Sequence, residues 1–314
     1  MHGAARTTVG SVTFLAAMLN LMPFLESSGQ QAGGGEAAGA LMAAIDIHVH
    51  AAPDSRPRAL DAIDVAKLAR ARGMRAIVLK NHYEPTASLA FLVRKEVPGL
   101  DVFGGIDLNL TMGGINPSAV QYMTEVTGGW GRIVWMSTFD AENQVRYSKE
   151  NRPSVPVSRG GAFLPEVKEV IALIARHGLV LATGHVSAEE GLALLQEGQR
   201  QGVTRMVVTH AMNAPILMDV SQMRQAAALG AFIEFVGGSL AAPDAQARMD
   251  RFAAAIRSVG PDSCILSSDL GQQGNALPPD GFAAFIEAMR ARGFTRQELD
   301  RMTKQNPAKL LGLP

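Results

Sequence analysis

From residue 44 onward, short apolar runs alternate with amphipathic stretches along the chain. Eight of these runs are continuously rich in Val, Ile and Leu, which is typical of strands buried on both faces of a parallel sheet. They read AIDIHVH, RAIVLK, VFGGIDLN, RIVWMS, LVLATGH, RMVVTH, AFIEFVG and CILSSD. The stretches between them place apolar residues three and four positions apart, as helices on a core do. Eight strand-then-helix units predict an α/β fold of the (β/α)8 barrel type.

The same pattern divides the chain into residues 1–43 and residues 44–314. The first part contains an apolar run and then a glycine-rich linker, and we expect it to form a helical extension of the barrel. The run also has the length of a signal-peptide core, so a targeting segment is the alternative. Within the barrel, an unusually long loop separates the fourth strand from the helix that begins near Leu164. On a barrel this loop lies at the active-site face.

Charge and cysteine content narrow the choice of partners and compartment. The chain has 29 basic and 29 acidic residues, so nothing indicates a nucleic acid or a membrane surface as partner. Its one cysteine, Cys264, excludes an internal disulfide and fits a reducing compartment. We expect a cytoplasmic protein that acts on a small molecule, and a homo-oligomer if the apolar extension packs on a neighbouring subunit.

Histidines are concentrated at predicted strand ends. Five of the seven lie there, and Asp269 ends the eighth strand. The strand ends of a barrel converge on one mouth, and residues i and i+2 of a strand face the same side. His48 and His50 therefore project together, as two ligands of one cation must. Imidazole and carboxylate ligands suit zinc first, and also manganese, iron or nickel. The sequence predicts a divalent metal site with one or two ions per chain.

With these residues in this order, the chain resembles the amidohydrolase superfamily of metal-dependent barrel enzymes. The resemblance covers the whole predicted barrel and is carried by DIHVH, ATGHVS, VVTHAMN, SSDLG and the terminal NPAKLLGL. It implies that His48, His50 and Asp269 bind a first metal and that Asp269 also shuttles the proton. It further implies that His185 and His210 bind a second metal in binuclear members. In mononuclear members one of these two contacts the first metal and the other the substrate.

The second predicted strand departs from the usual pattern of the superfamily. Binuclear members often take a bridging carboxylated lysine or glutamate from strand four, but RIVWMS contains neither. Strand two instead ends with Lys80 and His82, and some members, such as D-aminoacylases, are similar in taking the bridge from that strand. We expect Lys80, carboxylated by carbon dioxide, to bridge two metals. The alternative is that buried Lys80 pairs with an acid, Asp107 or Glu84, which would favour a mononuclear site.

Several polar residues near the metal motifs are candidates for binding the substrate. Arg56 lies closest to the first motif, and an arginine fork suits a substrate carboxylate. We expect Arg56, Tyr83, Asn109 and Asn213 to contact the substrate. The remaining arginines near the motif and in the long loop are better explained as solvated surface.

The combined pattern predicts metal-dependent hydrolysis of a small amide, cyclic amide, lactone or related ester. Water activated by the metal attacks the carbonyl, and Asp269 passes the proton to the leaving group. His82 and His210 are further catalytic candidates. The first alternative is a nonoxidative decarboxylase of an aromatic or unsaturated acid. A phosphoesterase of the polymerase-and-histidinol-phosphatase type is less well matched. The last alternative is a metal-binding barrel without activity.

Overall fold

Parallel strands form the centre of the structure, a computed structural model that describes Met1, Gly3 and residues 39–314. In the described part, ten strands occur. They are β1 (Ile45–His50), β2 (Ala76–Lys80), β3 (Asp101–Asp107), β4 (Gly131–Trp135), β5 (Ser158–Arg159), β6 (Ala162–Phe163), β7 (Val180–Ala182), β8 (Met206–Val208), β9 (Phe232–Val236) and β10 (Cys264–Ser267). All eight predicted strands are present, and β5 and β6 form a separate short hairpin.

The eight strands of the main sheet pair in parallel in the order β1-β2-β3-β4-β7-β8-β9-β10. This is their order along the chain once the β5–β6 hairpin is left out. The first and last strands meet at their carboxyl ends. The His50 amide donates to the Leu270 carbonyl at 2.9 Å, and the Asp269 amide donates to the His48 carbonyl at 3.0 Å. The sheet therefore closes next to the predicted metal ligands, and the predicted (β/α)8 barrel is confirmed.

Helices connect the strands and cover the outside of the barrel. Their boundaries follow from ordinary capping chemistry: Ser187 and Glu190, for example, form a reciprocal capping box. The helices are Ala62–Ala71, Ala87–Glu96, Pro117–Glu125, Glu142–Tyr147, Pro165–His177, Ala188–Arg200, Val220–Ala228, Ala245–Val259, Pro278–Arg290, Arg296–Asp300 and Asn306–Leu311, with short turns at Leu110–Met112, Pro261–Ser263 and Arg301–Gln305. None of the helices in the described part of the chain combines the length and apolarity that crossing a membrane requires.

The predicted N-terminal extension falls mostly outside the described residues, because only Met1, Gly3 and residues 39–43 of it are included. The helix expected there and the domain boundary at residue 43 therefore remain predictions. Leu41 is fully buried and belongs to the same apolar cluster as the barrel's outer layer. The end of the extension is thus packed on the barrel.

A β-bulge in β1 changes which residues face the barrel interior. Ile45 and Ile47 belong to the apolar cluster inside the barrel, whereas Val49 belongs to the layer between strands and helices. The pairing of β1 with β2 shifts by one residue between Asp46 and Val49. Bulges re-aim side chains in this way beside active sites. After the shift His48 and His50 line the mouth, above an apolar interior.

The carboxylate of Asp46 holds this bulge in place. Its Oδ1 accepts hydrogen bonds from the His48 amide at 3.1 Å and from the Ser268 amide at 3.0 Å. Asp46 is buried, and burial raises the pKa of its carboxyl to about 6. The contact ties β1 to the end of β10, so the first and last metal motifs are held in one register.

The long loop after β4 has structure of its own. It contains the helix Glu142–Tyr147 and the β5–β6 hairpin. The Asn143 amide group donates to the carbonyls of His185 and Pro215, at 3.1 Å each. The loop is thereby fastened to the chain that follows β7 and β8, at the mouth of the barrel.

The chain end closes the opposite side of the barrel. Leu310 and Leu311 are buried in the interior cluster, and Asn306 fixes the last helix to β10. Its amide group donates to the carbonyls of Pro261 at 2.9 Å and Cys264 at 2.7 Å. The terminal NPAKLLGL motif therefore has a structural role, in which it covers the end of the barrel opposite the mouth.

We predict that Asn306→Ala destabilises the protein by about 1–3 kcal/mol for each carbonyl that loses its partner without gaining water. The free energy of unfolding measured in urea tests this. Gln297→Ala is the control, because Gln297 is exposed on the neighbouring helix and such a change is within about 0.5 kcal/mol. Equal unfolding free energies for the two variants would contradict the role of Asn306.

Candidate metal centre

A cavity of about 430 Å³ opens at the carboxyl ends of the barrel strands. All of the predicted metal-binding and catalytic side chains line it: His48, His50, Lys80, His82, His185, His210 and Asp269. They come from five strands or strand ends that are far apart in sequence. The structure therefore brings the predicted chemical groups into one place.

His48, His50 and Asp269 form the tightest group. The Nε2 atoms of both histidines lie 3.2 Å from Asp269 Oδ1, and a set of three ligand atoms lies within 4.8 Å of one another. Asp269 has a left-handed backbone, with φ of 52°, which aspartate tolerates better than most residues. The two imidazoles and the carboxylate are therefore close enough to contact one cation.

The opposite nitrogen of each histidine in this group is held by a hydrogen bond. His48 Nδ1 donates to Glu234 Oε1 at 3.1 Å, and His50 Nδ1 donates to the Lys80 carbonyl at 3.0 Å. From these partners we assign the proton to Nδ1 in both rings. Such contacts orient metal-binding histidines and leave Nε2 for the metal.

Charges around this group favour a cation. Burial lowers the pKa of His50 to about 4, so its imidazole is neutral at neutral pH. Burial and the Lys80 ammonium also act to lower the pKa of His48, but Asp269 and Glu234 outweigh them and raise it. Burial alone would raise the pKa of Asp269, yet the imidazoles of His48 and His50 hold it well below its usual range. A divalent metal fits here, and its binding would displace the proton of His48.

His185 and His210 form a second pair of imidazoles. Their Nε2 atoms are 3.1 Å apart, and His185 Nδ1 donates to Gln144 Oε1 at 2.8 Å. Burial lowers the pKa of both rings, that of His210 to about 4. If both neutral rings carry their proton on Nδ1, the two facing Nε2 atoms are both acceptors and cannot form a hydrogen bond. A hydrogen bond between them requires the His210 proton to be on Nε2. A second cation would satisfy both nitrogens.

Lys80 lies beside the first group. Its Nζ is fully buried, 3.2 Å from His48 Nε2 and 3.7 Å from Asp107 Oδ2, and it lies over the Trp135 ring at 5.2 Å. Of the two acids considered as partners, Asp107 is adjacent and Glu84 is exposed. The unmodified lysine thus has Asp107 as an acid partner.

His82 is held at the side of the cavity. Its Nδ1 lies 2.9 Å from Thr138 Oγ1 and 3.2 Å from Asp107 Oδ2. The ring stacks against His50 at 4.9 Å and lies 4.2 Å from the Phe139 ring, between centroids. Burial lowers the pKa of His82 well below its usual value. A neutral imidazole that is anchored at Nδ1 can offer Nε2 to a substrate or to water.

The candidate substrate contacts separate into two groups. Arg56 and Asn213 line the cavity, and Tyr83 contacts Arg56. Asn109 does not line the cavity. Its fully buried amide group donates to the His82 carbonyl and accepts from the Thr138 amide. In the structure its hydrogen bonds hold the loops beneath the site, and a contact between Asn109 and the substrate stays a prediction.

Three functional side chains were missing from the sequence-based set. Glu234 orients His48 and also accepts from the His210 amide at 2.9 Å, Gln144 orients His185, and Asp107 orients His82. Glu234 carried a detectable signal, because an acid inside the apolar strand AFIEFVG is costly unless it is paired. Asp107 had been considered only as a partner for Lys80. Gln144 carried no signal, since nothing in its loop sequence distinguishes it from solvated neighbours.

Two family models match the chain. Residues 43–234 match the model described as "Family of unknown function (DUF6282)". The chain belongs to this family. Residues 172–311, which include the second histidine pair and Asp269, are similar to the Phosphotriesterase family. No curated protein matches the sequence.

Solved structures share the fold of this DUF6282 protein. An amidohydrolase from Pseudomonas aeruginosa superposes with a TM-score of 0.61 at 12% identity, covering 88% of this chain and 97% of that one. The organophosphorus hydrolase from Deinococcus radiodurans gives a TM-score of 0.57 at 18% identity, with coverages of 87% and 94%. An amidohydrolase from Burkholderia multivorans gives 0.56 at 17% identity, with coverages of 86% and 99%.

These matches confirm the resemblance to the amidohydrolase superfamily. At such identities the structural likeness concerns the fold, while the phosphotriesterase match adds support for the predicted metal-dependent hydrolase from sequence. The phosphotriesterase match does not favour the alternatives of a decarboxylase or of an inactive barrel.

We predict that Glu234→Gln weakens metal binding by about 10–100-fold, the usual cost of losing an orienting partner. Both groups that Glu234 accepts from are donors, His48 Nδ1 and the His210 amide, so the amide nitrogen of a glutamine must face one of them. A Zn²⁺ titration against a competing chelator measures the effect. Glu84→Gln, at an exposed position, is the matched control, and equal affinities in the two variants would contradict the assignment.

Proposed function

We propose that this protein is a hydrolase of small lactones and related esters that uses a divalent metal at the barrel mouth. The observation that carries the proposal is the convergence of two histidine pairs and the Asp269 carboxylate on one cavity. The similarity to the phosphotriesterase family and to organophosphorus hydrolases supports ester chemistry. Amides and cyclic amides remain substrates to test alongside.

The donor set determines where the metal would be held. His48, His50 and Asp269 supply the first position, and His185 and His210 supply the second. A bound divalent ion supplies a Lewis acid that activates water and polarises the substrate carbonyl. We propose zinc as the resident ion because imidazole and carboxylate ligands suit it, with manganese, iron or nickel as alternatives.

Asp269 is the proposed proton carrier. It is a carboxylate at neutral pH, because the neighbouring imidazoles hold its pKa low. Its side chain is about a quarter exposed, so it can reach both the ligand group and the open cavity. In this position it accepts a proton from the attacking water and delivers it to the leaving oxygen. His82, which faces the same cavity, is proposed to orient the substrate and the water, and His210 would share that role only in a mononuclear centre.

We also propose that Lys80 bridges the two metal positions as a carbamate. As the free amine, Nζ adds to carbon dioxide and releases one proton. The adjacent Asp107 can hold that proton, because burial raises its pKa to about 6 even though the Lys80 charge, the Thr138 hydroxyl and His48 act to lower it. Replacing the ammonium by an anion would raise the pKa of Asp107 further, so a protonated Asp107 can then donate to the carbamate.

We propose that residues 1–43 form an extension which mediates a homo-oligomer, since they contain an apolar run that precedes the barrel. The single cysteine fits a cytoplasmic location. Oligomeric state is measurable by light scattering on the full chain.

We predict that the metal-loaded protein hydrolyses a panel of small lactones and aryl esters, and that Asp269→Asn lowers kcat/KM by about 10²–10⁴-fold. Asp64→Asn, an exposed aspartate, is the control and should match the unaltered protein. The same panel includes anilides and aryl carboxylic acids, with carbon dioxide release monitored. Release of carbon dioxide without ester or lactone hydrolysis would contradict the proposal in favour of a decarboxylase.

A further inference from the structure

Arg56 is held in a fixed position at the rim of the cavity. Its guanidinium lies 4.3 Å from the centre of the Phe139 ring and 5.5 Å from that of Tyr83, and Nη2 donates to the Tyr83 hydroxyl at 2.8 Å. An exposed arginine ordinarily samples many rotamers, and ordering it costs free energy. The two aromatic contacts pre-order this one, which lowers the cost of binding a ligand.

The charge of Arg56, unlike that of its neighbours, has no partner in the part of the chain that the structure describes. Arg58, which also lines the cavity, contacts Asp54 at 2.6 Å, and Arg152 in the long loop contacts Asp140 at 2.5 Å. Among the described residues, no carboxylate lies within ion-pair distance of the Arg56 side chain. The rim therefore presents one oriented positive charge with donors free for an anion.

The Phe139 ring lies between the Arg56 guanidinium and the histidines of the cavity. The same ring that lies under Arg56 contacts His82 at 4.2 Å and His185 at 5.7 Å, between centroids. The guanidinium is thus separated from the imidazole cluster by a single aromatic ring. A small molecule bound to Arg56 through an anionic group would place atoms a few bonds away beside the imidazoles.

We propose that Arg56 determines specificity by binding a carboxylate of the substrate, so that the preferred substrates are lactones or esters that carry a carboxylate a few atoms from the scissile bond. The planar fork of arginine suits a carboxylate bidentately. Arg56 binds the substrate at a point remote from the reacting carbonyl, and Phe139 and Tyr83 position it. This inference rests on the proposed hydrolase for its chemistry, but the anion site itself does not require turnover.

The first test compares γ-butyrolactone with its 4-carboxylate derivative as substrates of the metal-loaded protein. Arg56→Gln should lower the preference for the carboxylated lactone, as a ratio of kcat/KM values, by about 10–100-fold, mainly through KM. Arg56→Lys should recover part of the preference, because a point charge replaces the fork. Arg159→Gln, which removes an exposed arginine of the β5–β6 hairpin, is the control and should keep the preference.

The second test measures binding without turnover. Calorimetry with the metal-loaded protein compares glutarate, which has two carboxylates, with butyrate, which has one. We expect glutarate to bind at least about tenfold more tightly, and Arg56→Gln to abolish that difference. If this result holds while no lactone or ester is hydrolysed, the anion site stands and the proposed function fails. If Arg56→Gln leaves the difference unchanged, or if the unaltered protein shows none, the assignment of Arg56 is overturned whatever the turnover.

Discussion

The burial of ionisable side chains at one end of the barrel is the constraint on which the rest of the structure depends. An isolated charge in such a place is unfavourable by several kcal/mol, so each of these groups needs a partner of opposite charge or a cation. His48 lies between the carboxylates of Glu234 and Asp269, and Lys80 lies beside Asp107. Acids and bases therefore alternate around the mouth of the barrel. A barrel that needed only to be stable would have apolar residues at these positions, so the arrangement indicates a functional site.

This constraint also explains the irregular backbone at the site. The bulge in β1 allows two isoleucines to fill the barrel interior while two histidines, a few residues later, face the mouth. Asp46 secures the bulge from below, and the left-handed conformation of Asp269 directs its carboxylate to both histidines. Local strain of this kind persists where surrounding contacts fix it, and it is concentrated at functional sites.

Much of the fold was predictable from the sequence, because buried parallel strands and amphipathic helices have distinct periodicities. The convergence of the histidines was predictable as well, since strand ends of a barrel share one mouth. The partners of those histidines were not predictable in the same way. Glu234 reaches His48 across 186 positions and Gln144 reaches His185 across 41, and such contacts depend on the register and loop path that only the folded chain defines. Asn109 shows the opposite case: this polar residue at a strand end uses its amide group for hydrogen bonds to the backbone of His82 and Thr138.

We propose that the two histidine pairs hold two metal ions bridged by Lys80. Elemental analysis of the protein purified with zinc and bicarbonate, together with Lys80→Ala, tests it most directly. We expect about two ions per chain in the unaltered protein and one or none in the variant. One ion per chain in both proteins would contradict the bridge and leave a mononuclear centre, and the absence of bound metal in the unaltered protein would contradict the metal centre itself.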